Sequence, residues 1–253
     1  MPAVFLFKNN KMPEKIHTRL SVNINKIAVI RNSRGGNIPD LIQFAKDIEK
    51  FGAEGITVHP RPDERHIRFE DVLNLKNIVT TEFNIEGYPD ERWVKLVLET
   101  VPTQATLVPD SPTQLTSDHG WDTVKNASFL KEIIASFKEK NIRTSVFIDA
   151  DEKMVEGAKN IGADRIELYT GDFAKEFAEN KFLEIEKHTR AVAFAKNLGL
   201  GINAGHDLNL QNLKFYKNKI LHLDEVSIGH ALISDALYYG LYETIAMYKQ
   251  CLK

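Results

Sequence analysis

Eight short apolar runs, each followed by a stretch whose apolar residues recur at helical spacing, occupy this chain from about residue 20 to its end. Repeated strand–helix alternation calls for a parallel sheet, because a strand that returns through a helix re-enters the sheet pointing the same way. The first run, Ser21-Val22-Asn23-Ile24-Asn25, alternates polar and apolar residues and leads into a polar, glycine-bearing loop from Arg31 to Pro39. Pro39-Asp40 then opens a helix in which Ile42, Phe44, Ala45, Ile48 and Phe51 share a face until Gly52 stops it. Further strands are expected at Gly55 to His59, Glu82 to Glu86, Ala105 to Val108, Thr144 to Ile148, Arg165 to Tyr169, Gly201 to Ala204 and Glu225 to Ile228. Helices are expected between them, including a long one through Arg190 toward Leu198 and a final one from Ala236 to Leu252.

Eight such units use up 253 residues in one closed barrel, whereas a doubly wound sheet more often takes five or six strands and a separate domain. The expected fold is therefore α/β: a single (β/α)₈ TIM barrel over residues 20–253, with a short N-terminal extension over residues 1–19. The apolar Ala3 to Phe7 segment is shorter than a secretory core and reads as part of that extension. A net charge of -2 argues against a nucleic-acid or anionic-membrane partner held by overall positive charge, and no apolar stretch approaches the ~20 residues that cross a bilayer. The one cysteine, Cys251, excludes an intrachain disulfide and fits a reducing, cytoplasmic setting.

All strands of such a barrel end on one face, so polar residues at distant strand ends can meet there. Val58-His59-Pro60-Arg61, Asn84-Ile85-Glu86, Ile166-Glu167, Ala204-Gly205-His206 and Ile228-Gly229-His230 fall at these ends. A histidine can exchange protons near neutral pH and an arginine can hold a phosphate or carboxylate in its fork, a combination suited to an anionic substrate. Burial would raise the pKa of Glu86 and Glu167 toward acid–base use; the alternative for each is a structural ion pair across the barrel mouth, and for His59 a hydrogen bond to backbone at the strand end. Glycines after strands seven and eight permit the close backbone approach of a phosphate site, and the loop Arg31-Asn32-Ser33-Arg34-Gly35-Gly36 either closes over a second anion or is simply solvated. No zinc or dinucleotide motif occurs; Asp149-Ala150-Asp151 suits either Mg²⁺ or a helix N-cap, and no metal is assigned.

Taken together, Asn23, Arg31-Asn32-Ser33-Arg34-Gly35, Gly55-Ile56-Thr57-Val58-His59-Pro60-Arg61, Arg65-His66-Ile67, Phe147-Ile148-Asp149-Ala150-Asp151, Asn203-Ala204-Gly205-His206 and Ile228-Gly229-His230-Ala231 closely resemble the pyridoxine 5′-phosphate synthase family, in order and from about residue 20 to the end. The resemblance implies condensation of 1-deoxy-D-xylulose 5-phosphate with 3-amino-2-oxopropyl phosphate to pyridoxine 5′-phosphate, phosphate and water, a step of vitamin B6 biosynthesis that needs no cofactor. It implies general bases at His59 and Glu86, a proton donor at His206, and stabilisation of a charged intermediate by Glu167. Asn23, Arg34, Gly229 and His230 would hold the aminoketone phosphate, and Arg61, His66 and Thr116 the sugar phosphate. Self-association, commonly as a homo-octamer built from dimers, is likewise implied. The chain departs from the family pattern at Asn25-Lys26, where many members have Asp-His, and at Asp207, where glycine is usual; these three are left out of the assigned site. Two other readings are a different phosphosugar barrel enzyme and a non-catalytic phosphate-binding barrel.

Overall fold

The computed structural model describes residues 17–110 and 117–253. Its strands are β1 (Arg19–Asn23), β2 (Gly55–Val58), β3 (Glu82–Gly87), β4 (Gln104–Leu107), β5 (Arg143–Ile148), β6 (Arg165–Leu168), β7 (Gly201–Gly205) and β8 (Glu225–Ile228). Each pairs in parallel with the next, and β8 closes on β1, so the expected (β/α)₈ barrel is the observed architecture. β1 lies two residues earlier than the sequence pattern suggests.

Alternate strand residues face opposite ways. One set, including Leu20, Val22, Ile56, Val58, Ile85, Ile166, Ile202 and Val226, is fully buried in the apolar core. Each such side chain contributes roughly 1.5–3 kcal/mol of hydrophobic stabilisation. The other set is polar and bonds across the barrel. Ser21 and Thr57 hydroxyls lie 2.7 Å apart, the Thr106 hydroxyl donates to Asn84 Oδ1 at 3.0 Å, and Asn203 Nδ2 donates to Gln104 Oε1 at 3.3 Å. Toward the strand N-termini, Arg165 donates to Asn203 at 3.0 Å and to Glu225 at 3.3 Å, while Arg143 donates to Gln104 at 2.9 Å and to Glu82. Barrel interiors are more often filled by branched apolar residues. Here the interior is polar, and burial lifts the Glu225 carboxyl to about 7 in spite of Arg165 beside it.

The helices are α1 (Asn25–Asn32), α2 (Leu41–Lys50), α3 (Phe69–Lys76), α4 (Glu91–Thr100), α5 (Ala127–Lys138), α6 (Glu152–Asn160), α7 (Gly171–Ala178), α8 (Leu183–Asn197), α9 (Leu213–Lys219), α10 (His230–Tyr239) and α11 (Leu241–Cys251). Asp40, Asp90 and Asp151 cap α2, α4 and α6 by accepting from backbone N–H groups, so Asp151 is an N-cap, and Asp149 Oδ1 accepts from Gly120 N–H at 3.1 Å.

Three helical segments correct the sequence reading. α1 occupies residues assigned to the end of a strand and a loop: Ile24, Ile27, Ala28 and Arg31 are buried at helical spacing, yet no side chain caps its start to announce it. The segment before Leu198 is two helices, α7 and α8, and the final helix is broken at Gly240, whose φ of 77° leaves the helical region.

Trp93 on α4 ties the helix layer to the barrel mouth. Its side chain is buried, its indole Nε1–H donates to the Glu86 carbonyl at 3.0 Å, and a Cβ on Gly87 would come within 2.1 Å of that nitrogen. Glycine at 87 is thus required by close approach. Among the described residues no helix is long and apolar enough to cross a membrane.

Candidate active site

A cavity of about 710 Å³ opens at the C-terminal ends of the strands. His59, Glu86, Glu167 and His206 all line it, as do Asn23, Arg61, His66, Gly229 and His230. These residues come from β1, β3 and β6, from the segments that follow β2, β7 and β8, and from the first turn of α10. Their meeting is a consequence of barrel closure: even His59 and Glu86, the two acid–base candidates nearest in sequence, are separated by the whole of α3.

His59 and Glu86 face each other, with Nδ1 and Oε2 3.8 Å apart. That is beyond hydrogen-bond length. Burial, reinforced by Arg61 and His66, holds His59 well below its ordinary pKa. Burial also lifts Glu86 to about 7, against the pull of His206. The pair is therefore biased toward its neutral forms. Asn23 Nδ2 and Ser227 Oγ donate to the two Glu86 oxygens at 3.3 Å and 3.4 Å, and Asn25 Oδ1 accepts from His59 N–H at 2.9 Å.

Glu167 is 3% exposed, and its Oε2 has no hydrogen-bond partner among the described residues. Burial, with Glu86 and Glu225 nearby, pushes its carboxyl well above the usual range. A neutral carboxylic acid at this depth can donate a hydrogen bond or ionise when a cation arrives. His206 sits at a positive φ of 51°, and its Nδ1 lies 2.8 Å from Asp207 Oδ2. Burial opposes a charged imidazolium there, but Asp207, with Glu86 and Asp110 farther off, outweighs it and raises the ring above its ordinary pKa.

One wall of the cavity is cationic. Lys26, Arg61 and Arg65 all border it, and burial together with these three charges lowers His66 to about 4. Arg61 is already engaged: its Nη2 donates to Asp110 at 2.5 Å, and Ser117 Oγ donates to the same oxygen at 2.7 Å. Where β8 meets β1, a Cβ on Gly229 would lie 3.0 Å from Asn23 Cβ and 3.1 Å from the Asn23 carbonyl, so glycine there lets β8 lead into α10 without displacing Asn23.

Not every expected residue is in the cavity. Arg34 lies exposed in the loop after α1, beside Gly35 and Gly36 with φ of 79° and 73°. Arg31, from the same sequence motif, is buried and holds Asp71 in a two-pronged pair at 2.6 Å and 2.8 Å, so it braces α1 against α3. Thr116 lies outside the described residues. Conversely, Asn25, Lys26 and Asp207, left unassigned from sequence, all line the cavity. Sequence reading also missed Asp110, Ser117 and Ser227. Ser227 had a signal, because it continues the polar phase of β8 two residues after Glu225; Asp110 had none beyond following a strand.

The profile of the family described as "Pyridoxal phosphate biosynthesis protein PdxJ" matches residues 20–253. The chain belongs to this family. It is accordingly an enzyme of vitamin B6 biosynthesis. Among its relatives, the pyridoxine 5′-phosphate synthase of Cytophaga hutchinsonii is 61% identical over 93% of this chain and 99% of its own, and that of Christiangramia forsetii is 57% identical over 93% and 100%. Solved structures with the same fold include a phosphoribosylanthranilate isomerase from Thermotoga maritima, at TM-score 0.57 and 13% identity over 93% of this chain and 98% of that one. A tryptophan synthase from M. tuberculosis aligns at TM-score 0.63 and 9% identity, covering 94% of each chain. At such identities these two show the fold of the chain and nothing further.

Proposed function

We propose that this chain condenses 1-deoxy-D-xylulose 5-phosphate with 3-amino-2-oxopropyl phosphate to give pyridoxine 5′-phosphate, phosphate and water by acid–base catalysis. The observation that carries the reading is the convergence of His59, Glu86, Glu167 and His206 on one cavity with a cationic wall. Closing a pyridine ring from two ketones, one of which carries the amine, moves several protons between different atoms, which one residue cannot manage. His59, held neutral by its surroundings, is ready to accept a proton. Glu86, poised at about 7, takes and returns protons near neutrality. Glu167 ionises as positive charge develops on the imine nitrogen, and His206 donates to a departing oxygen.

Two phosphates need two anion pockets. Lys26, Arg61 and His66 support one, for the sugar phosphate, with Arg61 shared between Asp110 and the ligand. Asn23, Gly229 and His230, at the start of α10, support the other, for the aminoketone phosphate. Arg34 joins that pocket through a movement of its loop. The metal-free and cofactor-free course follows from the substrates, whose carbonyl groups activate the neighbouring C–H bonds.

Purified protein given both phosphorylated substrates, with no added metal or nucleotide, is expected to form pyridoxine 5′-phosphate, followed by chromatography. Folded, saturated protein that makes none would refute the reading, and turnover of either substrate alone would favour an isomerase or aldolase instead. In this reading the catalytic barrel begins with β1 (Arg19–Asn23), and the segment before it is an extension. The enzyme works in the cytoplasm, where phosphorylated intermediates are retained. It self-associates, as the exposed Leu237, Tyr238, Tyr239 and Tyr242 on α10 and α11 support, and the family resemblance makes the assembly a homo-octamer. Light scattering is expected to give about eight times the subunit mass of 28.7 kDa, and a monomer would reject it.

A further inference from the structure

The contact between His206 and Asp207 is not needed to hold the barrel together, since both side chains stand on a turn at the cavity rim, 36% and 39% exposed. The turn is nevertheless tightly determined. His206 N–H donates to the Ser227 carbonyl at 3.2 Å, Asp207 N–H donates to Thr170 Oγ1 at 3.3 Å, and the Asp207 carbonyl accepts from the side-chain amides of Asn209 at 3.4 Å and Asn212 at 3.2 Å. These bonds hold His206 in the left-handed region, which costs a non-glycine residue about 1 kcal/mol and persists only where the surroundings over-determine it. The conformation that results brings Nδ1 of the imidazole against the next residue's carboxylate.

Resting on the proposed reaction, we propose that Asp207 is a positioning residue: it accepts the Nδ1 proton of His206, fixes the plane of the ring, and commits Nε2 to delivering a proton to the bound substrate. In the donating step the Nε2–H bond breaks as an O–H bond forms on the departing oxygen of the substrate. The ring becomes neutral with its Nδ1 proton still shared with Asp207, and solvent returns a proton to Nε2 before the next cycle. A carboxylate on Nδ1 has two separable effects. It selects the tautomer that presents Nε2 to the ligand, and its negative charge favours the imidazolium that must exist before donation.

Other charged groups also face His206: Glu86 on β3 and Asp110 after β4 favour its charged form, while His59 after β2 stands across the cavity. Glu86 and Asp110 remain in an Asp207→Asn variant, so any change in the histidine isolates the one carboxylate. Asparagine keeps the size of the side chain and removes its charge.

The test combines NMR titration of the His206 ring in unligated protein with steady-state kinetics on wild type, Asp207→Asn and Asp207→Glu. In Asp207→Asn the His206 pKa is expected to fall by about 1 unit, and the alkaline limb of the kcat profile to move to lower pH with it. kcat should drop ~10-fold or more with KM changed less than about 2-fold, and Asp207→Glu should recover part of the loss. Circular dichroism of each variant checks that the fold is retained. An unchanged His206 titration overturns the inference, and so does a shifted titration with unchanged kcat. Because the titration uses no substrate, it reads the Asp207–His206 pair even where wild-type protein fails to make pyridoxine 5′-phosphate, a failure that would count against the proposed reaction alone.

Discussion

Glu86→Gln is expected to lower turnover by ~10²–10⁴-fold and, at the same time, to make the protein more stable in mild alkali. The first effect follows from removing a proton acceptor whose pKa of about 7 suits it to exchange near neutrality. The second follows from the sign of the same shift. Burial raises the folded-state pKa above the ordinary carboxyl value of 4.5, so the folded state favours the protonated acid. The contribution of Glu86 to stability is present in full below about pH 4.5 and is lost as pH rises through about 7. Above that range the wild type bears the cost of an ionised, desolvated carboxylate, on the order of 1–3 kcal/mol, which the neutral amide avoids. Glutamine also retains an oxygen to accept from Asn23 and gains an amide that can meet Ser227. Urea unfolding at pH 5 and pH 8, beside assays of turnover, checks both halves. A variant with wild-type turnover removes Glu86 from the chemistry, and a variant less stable than wild type at pH 8 contradicts the burial argument.

Trp93→Ala is expected to destabilise the fold by ~3–5 kcal/mol, because it empties the space of a buried indole between α4 and the barrel. Phe137 loses its ring neighbour at 5.8 Å, and the Glu86 carbonyl loses its indole donor. Trp93→Phe separates these effects. It keeps most of the packing and removes the hydrogen bond, so about 1 kcal/mol is expected. Denaturant midpoints at constant m-value measure both, and a loss under about 1 kcal/mol in the alanine variant would show that the site collapses to fill the space. Since the same indole fixes the backbone of Glu86, catalytic loss should accompany even the milder variant.

The barrel was legible because its evidence is local and repeated. Gly55 to Val58, Glu82 to Glu86 and Glu225 to Ile228 declare themselves by apolar content and by the turn and helix signals that bracket them. α1 was not legible for a related reason: the alternation of β1 runs on through Ile24 and Asn25, and only burial shows that Ile24, Ile27, Ala28 and Arg31 already follow a helical period. The strand-end residues His59, Glu86, Glu167 and His206 could be singled out because a parallel barrel leaves all its strand ends on one side. Their partners could not. Asp110 meets Arg61 across 49 positions and Ser227 meets Glu86 across 141, and nothing in the neighbourhood of either announces the contact.

What the amino-acid order determined alone was the period: eight alternations of strand and helix, and in each strand a polar phase beside an apolar one. The tertiary structure decided where the polar phase points. Closure turns Ser21, Thr57, Asn84, Thr106 and Asn203 inward to satisfy one another, and the top of that same phase becomes Asn23, Glu86, Glu167 and Ser227. Charge state was decided there too. The lifted Glu86 and Glu167 and the depressed His59 come from desolvation and from neighbours contributed by other strands, and desolvation is a property of the closed cavity that no single segment possesses.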